Sequence, residues 1–213
     1  CLGCGGMSLE DRIKVALLNR MAGTGISVTI DDIEDVATDT TLTAVLNELQ
    51  SAKAYQSSVT ITRPSNATPY TANDAVGQAD AGVPANAGTA ILTFANVGTA
   101  GAVIRINESM LEVDVTSVPS GMTSFRLHLF NAAPDAILDN AAWDLSSAGD
   151  RGKYLGHIML GNPVDLGSTL FVGIPQIKEV KLATTSLFGV LVTDGAYTPS
   201  SGAVKKITLY TSE

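Results

Sequence analysis

From about residue 57 onward, apolar and polar side chains alternate with a period of two through most of the chain. The clearest case places Phe125, Leu127 and Leu129 between Ser124, Arg126 and His128. That spacing sends one row of side chains into a core and the other toward water or a partner. A preceding run carries Val103, Ile104 and Ile106, then Met110, Leu111, Val113 and Val115. Between the two lies Val118-Pro119-Ser120-Gly121, in which Pro presets φ and Gly tolerates positive φ. The pair is expected to form an antiparallel hairpin at the centre of the fold.

The same grammar extends on both sides. Val59 and Ile61 share a face before Arg63-Pro64 forces an extended exit, and TAILTF gives a further strand closed by Asn96-Val97-Gly98. Strands are expected near 153–160, 168–174, 177–182, 186–193 and 203–210, punctuated by Gly161, Gly167, Pro175, Gly195 and Gly202. About nine short, evenly spaced strands without intervening helices predict a mainly β fold, an antiparallel β-sandwich over residues 57–213. Residues 79–89 read as an exposed Ala/Gly-rich loop, and 131–154 as an ordered excursion with a helical turn in which Trp143 plugs the core edge.

The first 56 residues follow a different period and predict an N-terminal helical arm. SLEDRIKVALLNRMA has Ser8 as cap, acidic residues in its first turn and Gly23 beyond its end. Leu9, Ile13 and Leu17 form its apolar stripe; in the second helix, TLTAVLNELQSAKA, Leu42, Val45, Leu46 and Leu49 recur at i, i+3, i+4 and i+7. Helices this short need a docking partner, so these seven residues are the expected attachment or oligomer contacts.

Composition narrows the function classes. Charged residues make up only 16% of the chain, against about 25% in ordinary domains, and Ala, Gly, Ser and Thr fill the difference. Such surfaces suit close packing against other proteins, although secreted β domains share them. The net charge of −8 and the lack of a Lys/Arg cluster exclude a nucleic-acid surface. No run approaches the ~20 apolar residues of a membrane span. The first apolar helix carries Arg12, Lys14 and Arg20 along its length, so it is not read as a signal peptide.

Candidate chemistry is sparse. Cys1 and Cys4 make one CxxC, which alone is either redox-active, half of a zinc site or neither. Asp31, Asp32, Glu34 and Asp35 lack EF-hand spacing, and Asp135, Asp139 and Asp144 read as caps and Asx turns. His128 and His157 are the only histidines, each on an expected strand and expected to be structural. A GxSxG elbow and a phosphate loop are both missing. The expectation is therefore no catalytic residue, no metal and no cofactor.

Four stretches, VTITRPSNATPYTANDAVG, LTFANVGTAGAVIRINESML, VPSGMTSFRLHLFNAAPDAILDNAAWDLSSAGDRGKYLGHI and LFGVLVTDGAYTPSSGAVKKITLYT, resemble virion proteins of tailed bacteriophages and prophages. The resemblance covers about three quarters of the chain, from Ser57 to the end. It implies a jelly-roll-like sandwich on the particle, most often a capsid decoration or cement subunit that binds and stabilises the assembled head. A tail or fibre component that engages a host receptor is the alternative. Implied with it are a non-enzymatic role and a homo-oligomer in contact with the major capsid protein or other virion proteins. The implied location is the virion, assembled in the bacterial cytoplasm.

Overall fold

The computed structural model describes residues 53–78, 89–146 and 148–213. The two expected helices, with Leu9, Ile13, Leu17, Leu42, Val45, Leu46 and Leu49, lie outside the described residues, as do the acidic run, both cysteines and residues 79–88. Of the second expected helix only Lys53 and Ala54 are described, and neither is helical.

Among the described residues there is no α-helix, and ten strands make two antiparallel sheets. They are β1 (Ala54–Thr62), β2 (Ala75–Val76), β3 (Ile91–Phe94), β4 (Val103–Val113), β5 (Phe125–Phe130), β6 (Tyr154–Leu160), β7 (Val164–Asp165), β8 (Leu170–Lys181), β9 (Leu187–Thr193) and β10 (Val204–Ser212). The first sheet runs β1-β10-β4-β8-β7. In the second, β9 is central to β2-β9-β5-β6, and β3 continues along the β9 edge that β2 begins. The inward rows interlock as one apolar core that includes Ile61, Leu92, Phe94, Ile104, Ile106, Leu111, Phe125, Leu127, Leu129, Leu187, Leu191, Ile207 and Leu209. Each such burial is worth roughly 1.5–3 kcal/mol.

Three expectations need correction. The central hairpin does not form: β4 pairs with β10 and β8, whereas β5 pairs with β6 and β9. Val118–Gly121 instead carries the chain from one sheet to the other, with Met122 N–H donating to Pro119 O at 3.0 Å. Asp114 N–H still bonds Val204 O in the first sheet, and Ser124 O accepts from Asp194 N–H in the second. Side by side, the two apolar rows would share one uncovered face; across the core, each covers the other.

Pro175 does not end a strand either, because Leu170–Lys181 is continuous. Short β7 pairs only with Leu170 and Phe171, so the rest of β8 is an edge, where a residue without an N–H is tolerated. Finally, Leu138 and Ala142 make isolated β-bridges in the 131–153 excursion, which contains no helical turn among its described residues.

The period of two also breaks inside β4. Ile104 and Ile106 point inward, then Ser109, Leu111 and Val113 do, while Val103 is 57% exposed. Against β10, Asn107 is an extra residue that shifts the parity, while against β8 Asn107 alone faces Gln176 and Ile177.

Gly121 gives a direct test of the crossover. Its φ is +85°, and a Cβ there would run into the carbonyl oxygen of Ala196. Gly121→Ala is expected to lower stability by more than about 1 kcal/mol, read as a melting-temperature drop of several degrees. An unchanged melting temperature would show that the crossover does not hold this conformation.

Candidate functional site

Two groups of polar and aromatic side chains stand out from the apolar background. The first is buried where the chain leaves β1. Arg63, fully buried, donates from Nε to the Tyr70 phenol at 3.0 Å and from its two terminal nitrogens to the carbonyls of Asn66 and Thr68 at 2.6 and 2.7 Å. Tyr70 in turn donates to Asp139 Oδ1 at 2.5 Å, which also accepts from Gly77 N–H at 2.8 Å. Arg63 Nε lies 3.6 Å from Asp139 Oδ2. Tyr197 packs on Tyr70 with ring centroids 5.3 Å apart. Burial first, then the Asp139 carboxylate, pushes the Tyr70 phenol far above its ordinary range, and burial does the same to Tyr197.

Lys205 enters the same region from β10, between Ile61 and Val113 on its neighbouring strands. It is 1% exposed and its Nζ has no hydrogen-bond partner among the described residues. Desolvation, with the nearby Arg63 charge, brings its ammonium down to about 8. This knot is not legible in the sequence, where Arg63 reads as a strand-end residue and Asp139 as a turn cap. The only hint was two cationic residues on rows that are otherwise apolar.

The second group lies on the outer face of the second sheet. Here Phe130, Val190 and Val192 turn away from the main core, and the 131–153 excursion folds back to cover them with Ile137, Trp143 and Leu145. Trp143 therefore caps a second apolar layer outside the sheet rather than the core edge. His128, expected on the water-facing row, is only 4% exposed beneath it, with its ring 4.3 Å from that of Trp143.

His128 and His157 are directly opposite each other on β5 and β6, their ring centroids 5.4 Å apart. Tyr154 joins them through a bulge. Leu155 is the extra residue, and Gly156 takes φ +92°, so Tyr154 registers with Phe130 on the outer face. Without that bulge, Tyr154 and His157 would face opposite ways. The Tyr154 hydroxyl stands 2.9 Å from His128 Nδ1 and 3.5 Å from His157 Nδ1. Burial, then the His157 and Arg126 charges, hold His128 down to about 4, and burial raises the Tyr154 phenol. Beside this group, Arg126 Nε donates to Asp194 at 2.6 Å and its Nη2 to Asn73 at 2.8 Å.

Neither group sets a nucleophile beside a base in an open cleft. The surface hollows lined by Val103, Arg105, Glu179 and Glu213 and by Asp114, Thr116, Ser117 and Thr198 contain no histidine or tyrosine. Among the described residues no three His, Cys, Asp or Glu side chains converge. No described helix is long and apolar enough to cross a membrane.

No family model matches the sequence. No curated protein matches it either. Among solved structures the chain is similar to one titled "Capsid of Ralstonia phage GP4", at 14% identity and a TM-score of 0.33, over 77% of this chain and 85% of that one. A TM-score that low carries no argument about this chain.

The unpartnered Lys205 makes a measurable prediction. Its pKa is lower folded than unfolded, so the unfolded chain binds more protons between about pH 8 and 10.5, and stability rises with pH across that window. At pH 7 the buried ammonium is a net cost. Lys205→Met is expected to stabilise the protein by about 1–3 kcal/mol at pH 7 and to remove that rise from the denaturation profile. Loss of stability in the variant would mean that Nζ has a partner.

Proposed function

We propose that this protein is a non-enzymatic structural component of a tailed-phage virion and that it decorates the assembled head. The observation that carries the proposal is the strand order. Without the two-residue strands β2 and β7, eight strands remain, ordered β1-β10-β4-β8 and β3-β9-β5-β6. Counted along the chain this is 1-8-3-6 facing 2-7-4-5, the connectivity of a jelly roll, which recurs in viral capsid domains and in lectins and cupins. Fold alone does not choose among these. The virion-protein resemblance of the four sequence stretches favours the capsid reading, and one of them spans the excursion that holds Asp139 and Trp143.

The surface of the first sheet supports the same reading. Among the described residues, four of the seven exposed large apolar side chains, Val103, Val164, Leu166 and Ile177, lie on or beside it, Ile177 at 83% exposure. Two ion pairs lie between them, Arg105 3.7 Å from Glu179 and Lys206 3.0 Å from Glu112. Exposed apolar side chains set among charged ones fit the rim and contact points of a protein interface better than free solvent. In the proposal the stripes of the N-terminal arm make the main attachment to the major capsid protein and this face adds to it. A subunit that binds only the assembled shell stabilises the shell by mass action, and symmetry multiplies modest contacts.

Particles that lack the protein are expected to assemble but to release DNA at lower temperature or milder osmotic shock than complete particles. Adding the purified protein back should restore the threshold, with hundreds of copies bound per head. Equally robust particles that fail to adsorb to cells would point to receptor binding and overturn the decoration reading.

A further inference from the structure

We propose that His128, Tyr154 and His157 form a binding site for a divalent transition-metal ion of the zinc and copper(II) class, with two imidazoles and one phenolate as ligands. The three side chains stand on adjacent strands of one sheet, so their spacing is set by the ladder and not by a loop. Both Nδ1 atoms approach the same oxygen, that of Tyr154, at 2.9 and 3.5 Å. These are the separations of atoms that share one small ion. With metal–ligand bonds of about 2.05 Å, they subtend roughly 90° and 117° at the ion. The rings agree independently. If the ion lies roughly 3.2 Å from each imidazole centroid, centroids 5.4 Å apart subtend about 115°, near the tetrahedral angle.

The surroundings suit such a site. His157 is exposed, which leaves the fourth position open to water, while the Trp143 ring packs on His128 and the Phe130 ring on Tyr154. The Arg126 guanidinium, whose charge acts on His128 and Tyr154, is engaged by Asp194 and Asn73. On binding, the phenol loses its proton to solvent and the oxygen takes the metal in its place. With Nδ1 on the metal, His128 Nε2 carries a proton and has no acceptor among the described residues. That missing support weakens affinity roughly 10–100-fold relative to a fully braced site. Counting histidines in the sequence had led to the expectation of no metal, because the phenol becomes a third donor only through the bulge at Gly156.

The test uses the full chain with Cys1→Ser and Cys4→Ser, so that the CxxC cannot bind the probe. Zinc titration by calorimetry is expected to show one ion per chain, weakened at least tenfold by His157→Ala and by Tyr154→Phe. Copper(II) should give a phenolate-to-copper charge-transfer band that Tyr154→Phe abolishes, while circular dichroism shows both variants folded. Absence of one-to-one binding, or binding unchanged in His157→Ala, overturns the site. Binding lost in His157→Ala but unchanged in Tyr154→Phe overturns the phenolate and with it the three-ligand proposal.

Discussion

The Asp139 carboxylate is the point on which the rest of the described structure hangs. It accepts from the Tyr70 phenol and from Gly77 N–H and faces the buried Arg63 guanidinium. Those partners come from three places: the exit from β1, the approach to β2, and the turn after it. Asp139 itself belongs to the excursion between β5 and β6, so one buried charge ties that long segment to the start of the fold. The contact is close enough that a Cβ on Gly77 would meet the Asp139 backbone at 2.9 Å. Removing one partner of a buried ion pair strands the other and costs about 3–5 kcal/mol. Trp143 and Ile137 hold the same segment down independently, through backbone hydrogen bonds from Trp143 N–H to Asn73 O and from Ala90 N–H to Ile137 O.

That dependence explains which features could be read from the sequence. Alternation in β5, where Phe125, Leu127 and Leu129 face inward, and the even spacing of the other strands made the mainly β, two-sheet character legible. Pairing partners were not, because alternation fixes which face a residue occupies and says nothing about which strand lies beside it. The β4–β5 connection looked like a hairpin since Pro119 and Gly121 turn a chain equally well between sheets. Asp139 and Arg63 were illegible for a related reason: their meaning comes from contacts spanning 76 residues of sequence. Trp143 was placed correctly under the excursion, but the layer it seals lies outside the sheet.

The two outer faces are consequently unlike. On the second sheet, the excursion supplies its own cover and leaves the outward row, from Phe130 to Val192, as a small core. On the first sheet nothing among the described residues plays that part, and Val103 and Ile177 stand in solvent. The free edge beside this face is guarded in a familiar way, for Pro175, Lys178 and Lys181 interrupt β8 where another strand would otherwise add on. An apolar face next to a protected edge favours contact through side chains over extension of the sheet. A subunit laid flat on a shell makes contact of that kind.

Bulges are what convert this regular scaffold into local chemistry. At Asn107 the extra residue moves Ser109 inward, where its hydroxyl is buried with no partner among the described residues, and across from it β8 inserts its own extra residue at Gln176–Ile177, where Ile177 projects. At Gly156 the extra residue brings a phenol beside two imidazoles that an unbroken ladder would keep apart. In both places the sheet on either side remains regular, so the displaced side chain is held by intact ladders and not by a mobile loop. The exposed isoleucine and the His–Tyr–His cluster, on opposite faces of the molecule, thus share one origin. A single inserted residue breaks the period of two, and the surface it creates differs from what alternation alone would place there.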